Sequence, residues 1–272
     1  MNALVSGWPE LTAPPGWTTV DIISDLHLHA QDPGTLQTLT RYLESTPADA
    51  LLILGDLFEV WVGDDCLQAP TGEDSFAFER QCQTLLARTA RHMPIYFMVG
   101  NRDFLLGQAA LGACGMTALA DPSVLVFGQR RWLLSHGDAL CLDDADYQRF
   151  REQVRAPAWR QAFLGQTLDK RTEQARAMRA RSELHKSAAS TYADVDAMAA
   201  VQWLEKGDCD VLIHGHTHRP AEHGLGQACQ RWVLSDWEGQ SRSPRAQVMR
   251  LSQDPMDSVR KVHMQRIDLA PP

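Results

Sequence analysis

Five short, apolar, β-prone runs in this chain each end in a cluster of chemically active polar residues, and that repeated coupling limits the fold more than any other feature. The runs cover residues 20–24, 50–54, 94–99, 131–135 and 210–213. Their ends read Asp25-Leu26-His27, Gly55-Asp56, Gly100-Asn101-Arg102-Asp103, His136-Gly137-Asp138 and His214-Gly215-His216-Thr217-His218. A short apolar run bounded by turn signals has the length of a buried strand. One carboxylate or imidazole after a strand is ordinary. Five such ends in succession are what a site assembled on one sheet edge requires.

Between the first three runs lie segments with helical spacing. Leu36, Leu39, Tyr42 and Leu43 mark residues 34–45, and Phe76, Phe78, Leu85 and Leu86 mark residues 75–92. Strand, helix, strand repetition implies a layered α/β fold. The middle third differs, since residues 143–200 carry almost no strand signal and are dense in Arg, Gln, Ala and Glu. They are predicted to be mostly helical. Basic residues there, from Arg149 to Lys186, interleave with Phe150, Trp159, Phe163, Leu164, Leu168 and Met178. The chain therefore divides into a core formed by residues 18–142 and 201–268, with a helical cap inserted at 143–200. Strands resume at 210–213, 231–235, 246–251 and 262–267.

Asp25, His27, Asp56, Asn101, His136, His216 and His218 supply hard oxygen and imidazole nitrogen without a thiolate. Such a set favours Mn²⁺, Fe²⁺ or Zn²⁺ over softer metals. A single catalytic zinc needs three protein ligands and an open position. Seven candidates are too many for that, whereas two ions sharing one carboxylate use them all. Two divalent cations facing the carboxylates Asp25 and Asp56 leave a positive surplus that attracts phosphate. His29 and His214 flank these candidates and are expected to support rather than ligate, and Asp64 and Asp65 after Gly63 to cap or position.

Charge and length exclude other classes. The net charge of −8 argues against coating a long polyanion, which needs a basic face, so no nucleic-acid partner is expected. No apolar run approaches the roughly 18–20 residues that span a bilayer. Residues 1–16 lack a basic start and a continuous apolar stretch, which implies cytoplasmic residence. The six cysteines form no CxxC pair and are read as free, mostly buried thiols.

The five blocks resemble the signature of the calcineurin-like metallophosphoesterases: Asp-x-His, Gly-Asp, Gly-Asn-His/Asp, His and Gly-His-x-His. Longer stretches, GDLFEVWVGDD at 55–65, GNRDFLLG at 100–107, HGDALCLDDADYQRFR at 136–151 and HGHTHRP at 214–220, are similar to one branch, the UDP-2,3-diacylglucosamine hydrolases of lipid A synthesis (the LpxH family). The resemblance covers roughly residues 20–240. It implies a four-layer α/β/β/α sandwich of the metallophosphoesterase type with a helical cap. It also implies a peripheral enzyme of the inner membrane's cytoplasmic face, two Mn²⁺ ions per chain and no obligate protein partner. The reaction implied is attack of water on the α-phosphorus of UDP-2,3-diacylglucosamine, releasing UMP and 2,3-diacylglucosamine 1-phosphate, lipid X.

Position by position, the resemblance gives one metal to Asp25, His27, Asp56 and His218 and the other to Asp56, Asn101, His136 and His216, with Asp56 bridging. Arg102 stands where many relatives have His, and a guanidinium can grip two phosphate oxygens at once. Catalytic roles thus fall on Arg102, His216 and Asp56. Substrate contacts fall on Asn101, Arg102, Asp144, Tyr147, Ser182, Lys186 and His216. The chain departs from the branch after Lys186, with Ala188, Ala189 and the stretch Tyr192-Ala193-Asp194-Val195. Phe150, Trp159, Phe163, Leu164 and Leu168 are expected to line a chamber for acyl chains, the alternative being that they pack on the core. Two rival readings are a nucleotide pyrophosphatase or phosphodiesterase of soluble substrates and a metal-free interaction module.

Overall fold

Apolar side chains alternate along the central strands so that both faces of two sheets need cover, and the architecture follows from satisfying all four faces. The computed structural model describes residues 7–69, 76–188, 194–226, 228–254 and 261–269, with the side chains of 180–188 outside that description. In chain order the elements are β1 (Glu10–Thr12), β2 (Thr19–Ile23), α1 (Pro33–Ser45), β3 (Ala50–Leu54), α2 (Ala77–Thr89), β4 (Ile95–Met98), α3 (Gln108–Cys114), β5 (Met116–Ala118) and β6 (Ser123–Phe127). They continue with β7 (Arg130–Ser135), α4 (Ala145–Arg155), α5 (Pro157–Leu164), α6 (Leu168–Ala188), α7 (Ala197–Gly207), β8 (Val211–His214), β9 (Ala221–Gly226), β10 (Cys229–Val233), β11 (Gln247–Gln253) and β12 (Val262–Asp268).

One sheet has the order β12-β11-β2-β3-β4-β5 and the other β1-β6-β7-β8-β10-β9. The segments β2, β3 and β4 run parallel in the first, as do β7 and β8 in the second. Val20, Ile22, Leu52 and Leu54 face Leu125, Trp132, Leu134 and Ile213 between the sheets. The alternate residues Ile23, Leu51 and Ile53 face outward beneath α1 and α2, meeting Leu39, Tyr42 and Leu86. On the far side, Leu133 and Leu212 pack under Ala200 and Leu204 of α7. The result is the α/β/β/α sandwich. Helix α7 crosses residue 200 and belongs to this outer layer by its contacts.

Local chemistry explains several boundaries. Asp32 caps α1, accepting from the Thr35 backbone N–H at 3.2 Å, and Pro33 supplies a preset first turn. The turn between β6 and β7 places Gly128 and Gln129 both at positive φ, the requirement of a two-residue hairpin. Cys66, Cys82, Cys114 and Cys141 are buried, as the scattered spacing implied, and desolvation pushes the Cys141 thiol up to about 12.

One buried ion pair ties the first sheet to its helix. Asp21 on β2 is fully buried and accepts two hydrogen bonds from Arg250 on β11, each 2.7 Å, plus one from the Tyr42 hydroxyl and one from Thr46. Asp21→Ala strands the arginine and two hydroxyls. It should lower unfolding stability by about 3 kcal/mol, read from urea denaturation with an unchanged m-value.

Candidate metal centre

The five strand ends converge because β2, β3 and β4 in one sheet and β7 and β8 in the other all terminate at the same edge of the sandwich. Ligands of open α/β sheets gather outside the carboxyl ends of strands for this reason. Turning the side chains back over the tips requires unusual backbone. Asp25, His27, Asp56, His216 and His218 all have φ between 48° and 67°, in the left-handed region that non-glycine residues seldom occupy. Each such residue carries roughly 1–3 kcal/mol of strain, which persists only where surrounding structure enforces it. Five of the seven expected ligands are so placed.

The donor atoms stand close together. His218 Nε2 lies 3.2 Å from Asp25 Oδ1 and 3.2 Å from His27 Nε2, which is 3.9 Å from Asp56 Oδ2. On the other side, His136 Nε2 lies 3.7 Å from Asp56 Oδ1 and 2.9 Å from Asn101 Oδ1, and His216 Nδ1 lies 2.8 Å from that same oxygen. Asp56 therefore presents one oxygen to each group. Donors about 2.1 Å from a shared ion stand roughly 3 Å apart when they subtend a right angle at it. The spacing and the mixed oxygen and imidazole chemistry fit divalent metals. The metal-competent acid and imidazole sets, Asp25-His27-His218 and Asp25-Asp56-His136, have Asp25 in common.

Burial sets the charges. Desolvation drives His27 down to about 4 against the pull of Asp56 and Asp25, and drives His216 down to about 3 with help from His136. Burial presses on His136 as well, but Asp56, Asp138 and Asp25 outweigh it and hold that ring at about 9. A proton on His136 and a cation thus compete for one place. Its Nδ1 is 2.9 Å from the Leu54 carbonyl, which directs Nε2 into the site.

The sequence reading passed over several supporting groups. Asp103 is fully buried and accepts backbone N–H bonds from Leu57, Phe58 and Gly100, fixing the two loops that carry Asp56 and Asn101. Burial and the nearby Asp56 raise it to about 7. Glu59 lies 2.9 Å from His27 Nδ1 and 3.8 Å from the Arg102 guanidinium, and it also meets Arg179 of α6. Asp236 lies 3.4 Å from His218 Nδ1 and is held by Arg245. Asp138 accepts from the Tyr147 hydroxyl and Arg151 Nε, both 2.7 Å, and from Arg155, which also donates to the Gly100 carbonyl. Each supporting acid sits one to three residues from a ligand or shortly after a strand, a signal that adjacency alone could have flagged.

The remaining expected residues are distributed unevenly. Arg102 donates its backbone N–H to Asp56 at 2.8 Å, and its side chain reaches the cleft beside His27. Tyr147 places its ring 5.7 Å from that of His216. Asp144 caps α4, accepting from the Tyr147 backbone N–H. Ser182 and Lys186 lie on α6, and their side chains fall outside the described residues. Asp64 accepts from the backbone N–H groups of Gly107 and Ala110, capping α3, while Asp65 pairs with buried Arg171. His214 is buried, with Nδ1 2.8 Å from the Gly215 carbonyl, and His29 lines the cleft.

The five-residue acyl lining needs correction. Phe163 is buried in the main core, with Trp159 and Leu168 packed against the same cluster, and only Phe150 and Leu164 are substantially exposed. The stacked Trp159 and Phe163 rings join the helices to the core beside Phe104, which is why they turn away from solvent.

The family model of the calcineurin-like phosphoesterases matches residues 18–220. The chain belongs to that family. Among curated relatives, the UDP-2,3-diacylglucosamine hydrolase of Aeromonas hydrophila is 44% identical over 223 residues, covering 79% of this chain and 89% of its own. Proteins of the same name from Aromatoleum aromaticum and Chromobacterium violaceum are each 43% identical, covering 79% and 81% of this chain and 87% and 91% of theirs. The span shared with the calcineurin-like phosphoesterases includes all five strand ends. This chain is a metal-dependent hydrolase by that membership and by its donor set.

Gly100 shows how tightly the centre is built. A Cβ there would fall on the Asp56 carboxylate and backbone nitrogen. Gly100→Ala should therefore displace Asp56 and lower divalent-metal content, as read by elemental analysis of the purified protein. Wild-type stoichiometry would show that the loop absorbs the methyl.

Proposed function

We propose that this chain hydrolyses the pyrophosphate of UDP-2,3-diacylglucosamine in lipid A biosynthesis, giving UMP and 2,3-diacylglucosamine 1-phosphate. The observation that carries this reading is the 44% identity, over 79% of this chain, to a protein named for that reaction. A pair of divalent cations, which we take to be Mn²⁺, supplies when bound the Lewis acidity that makes water nucleophilic near neutral pH and neutralises phosphoryl charge. Asp25, His27, Asp56 and His218 would hold one ion and Asp56, Asn101, His136 and His216 the other.

The chain's own groups do the rest. Arg102 projects beside His27 and supplies a fixed guanidinium where charge accumulates on the phosphoryl oxygens, a stabilisation that gains strength in a water-poor site. Glu59, close to Arg102 and His27 together, restrains both. His216, with its ring desolvated and neutral, faces the same space and is placed to meet the substrate phosphate. Tyr147, anchored through its hydroxyl to Asp138, forms the wall on the His216 side, with Asp144 at the start of the same helix. Substrate contacts by Asn101, Ser182 and Lys186 belong to this reading too.

The helices of residues 143–200 act in it as a cap and a lipid-facing surface. Among the described residues, the large hydrophobics that remain exposed are Leu142, Phe150, Leu164 and Met198, all in or beside that segment. No described helix is long and apolar enough to cross a membrane. Peripheral attachment to the inner membrane's cytoplasmic face through these side chains and neighbouring arginines would give access to a diacyl substrate.

Incubation with UDP-2,3-diacylglucosamine and Mn²⁺ should release UMP and lipid X, with activity lost to chelator and restored best by Mn²⁺. Hydrolysis undiminished after complete metal removal would overturn the mechanism. Asp56→Ala should abolish turnover because both groups of donors lose their shared carboxylate. Arg102→Ala should keep its metals and lose about 10²–10³ in kcat/KM, equal to roughly 2.7–4 kcal/mol. Steady-state kinetics combined with metal analysis separates those two outcomes.

A further inference from the structure

A cleft of about 400 Å³ opens beside the centre on the His27 and His218 side, between the loop after β2, α6 and the segment that follows β10. Its size lies within the range of small-molecule sites. Among the described residues thirteen side chains line it, and none is aliphatic. Twelve are polar or charged, including Arg102, Arg179 and Arg245, and the other is Trp237, which is almost wholly buried. Acyl chains gain nothing from such walls, because favourable transfer from water needs apolar surface to receive them. Among the described residues the exposed large apolar side chains lie elsewhere, at Leu142, Phe150, Leu164 and Met198.

We propose that this cleft is the subsite for the nucleoside monophosphate half of the substrate, so that the two halves lie on opposite sides of the metal centre. The inference rests on the UDP-lipid reading given above. The phosphate would sit against His27, His218 and Arg102 at the cleft's inner end. Sugar and base would extend toward Gln240 and Ser241, which line the same cleft. The uracil edge offers one N–H between two carbonyl oxygens, and a carboxamide carries both a donor and an acceptor to match it. The Ser241 hydroxyl is closed off from solvent and has no hydrogen-bond partner among the described residues, so a ligand there satisfies it. Arg245 holds Asp236 and Glu238 and so fixes the segment that carries both groups.

Calorimetric titration of the Mn²⁺-loaded protein with UMP, and separately with inorganic phosphate, tests the assignment without any lipid. In Gln240→Ala and Ser241→Ala the UMP dissociation constant should rise about tenfold, while that of phosphate, which reaches only the inner end, stays within twofold. Parallel weakening of both ligands, or UMP affinity unchanged in both variants, would overturn the subsite. Loss of UMP affinity in the variants, in a protein that fails to cleave UDP-2,3-diacylglucosamine, would support the subsite while refuting the lipid reading.

Discussion

Two buried carboxylates, Asp25 and Asp56, face a common space at the sheet edge, and much of the architecture serves to make that arrangement tolerable. Placing like charges together in a dry interior is costly unless positive charge and hydrogen bonds answer them. Ser24, the His216 backbone N–H and His218 converge on Asp25, and the Arg102 backbone N–H on Asp56. His136, raised by these same carboxylates, faces Asp56 with Nε2 3.7 Å from Oδ1. The same field that would destabilise an empty site is what draws a divalent ion into it.

Holding the donors there is a backbone problem before it is a side-chain problem. Left-handed turns at five of the expected ligands aim short side chains back over the strands that carry them. Rigid sheet packing on both sides, through Ile22, Leu52, Leu134 and Ile213, supplies the stability from which that strain is drawn. Buried acids one layer out, Asp103, Asp138 and Asp236, then bind loop to loop.

The core strands and the donor set were legible in the sequence because both rest on short-range patterns: apolar runs for the strands, and Gly-Asp or His-x-His at their ends for the donors. Other elements carried weaker marks. β9 contains Gly224 and Gly226 and has little strand propensity of its own, gaining its conformation from pairing with β10. α3 is seven residues long, too short for helical periodicity to show. β6 did carry a signal, Ser-Val-Leu-Val-Phe before Gly128, but its end bears no acid or imidazole to mark it. The fate of Trp159 and Phe163 was hidden for a different reason: an aromatic on an amphipathic helix reads the same whether it faces a ligand or the core, and only tertiary packing decides. Asp103 and Glu59 were visible as residues, but their work depends on partners far away in the chain.

Arg155 clasps Asp138 with one nitrogen while donating to the carbonyl of Gly100, whose next residue is Asn101. Helix α4 is thereby riveted to the loop that carries a donor. Excising α4 would take from Asp138 its two arginines and its tyrosine, and from the neighbouring loop its tether. A deletion of α4 therefore calls for a change at position 138 as well, since the two are built as one unit.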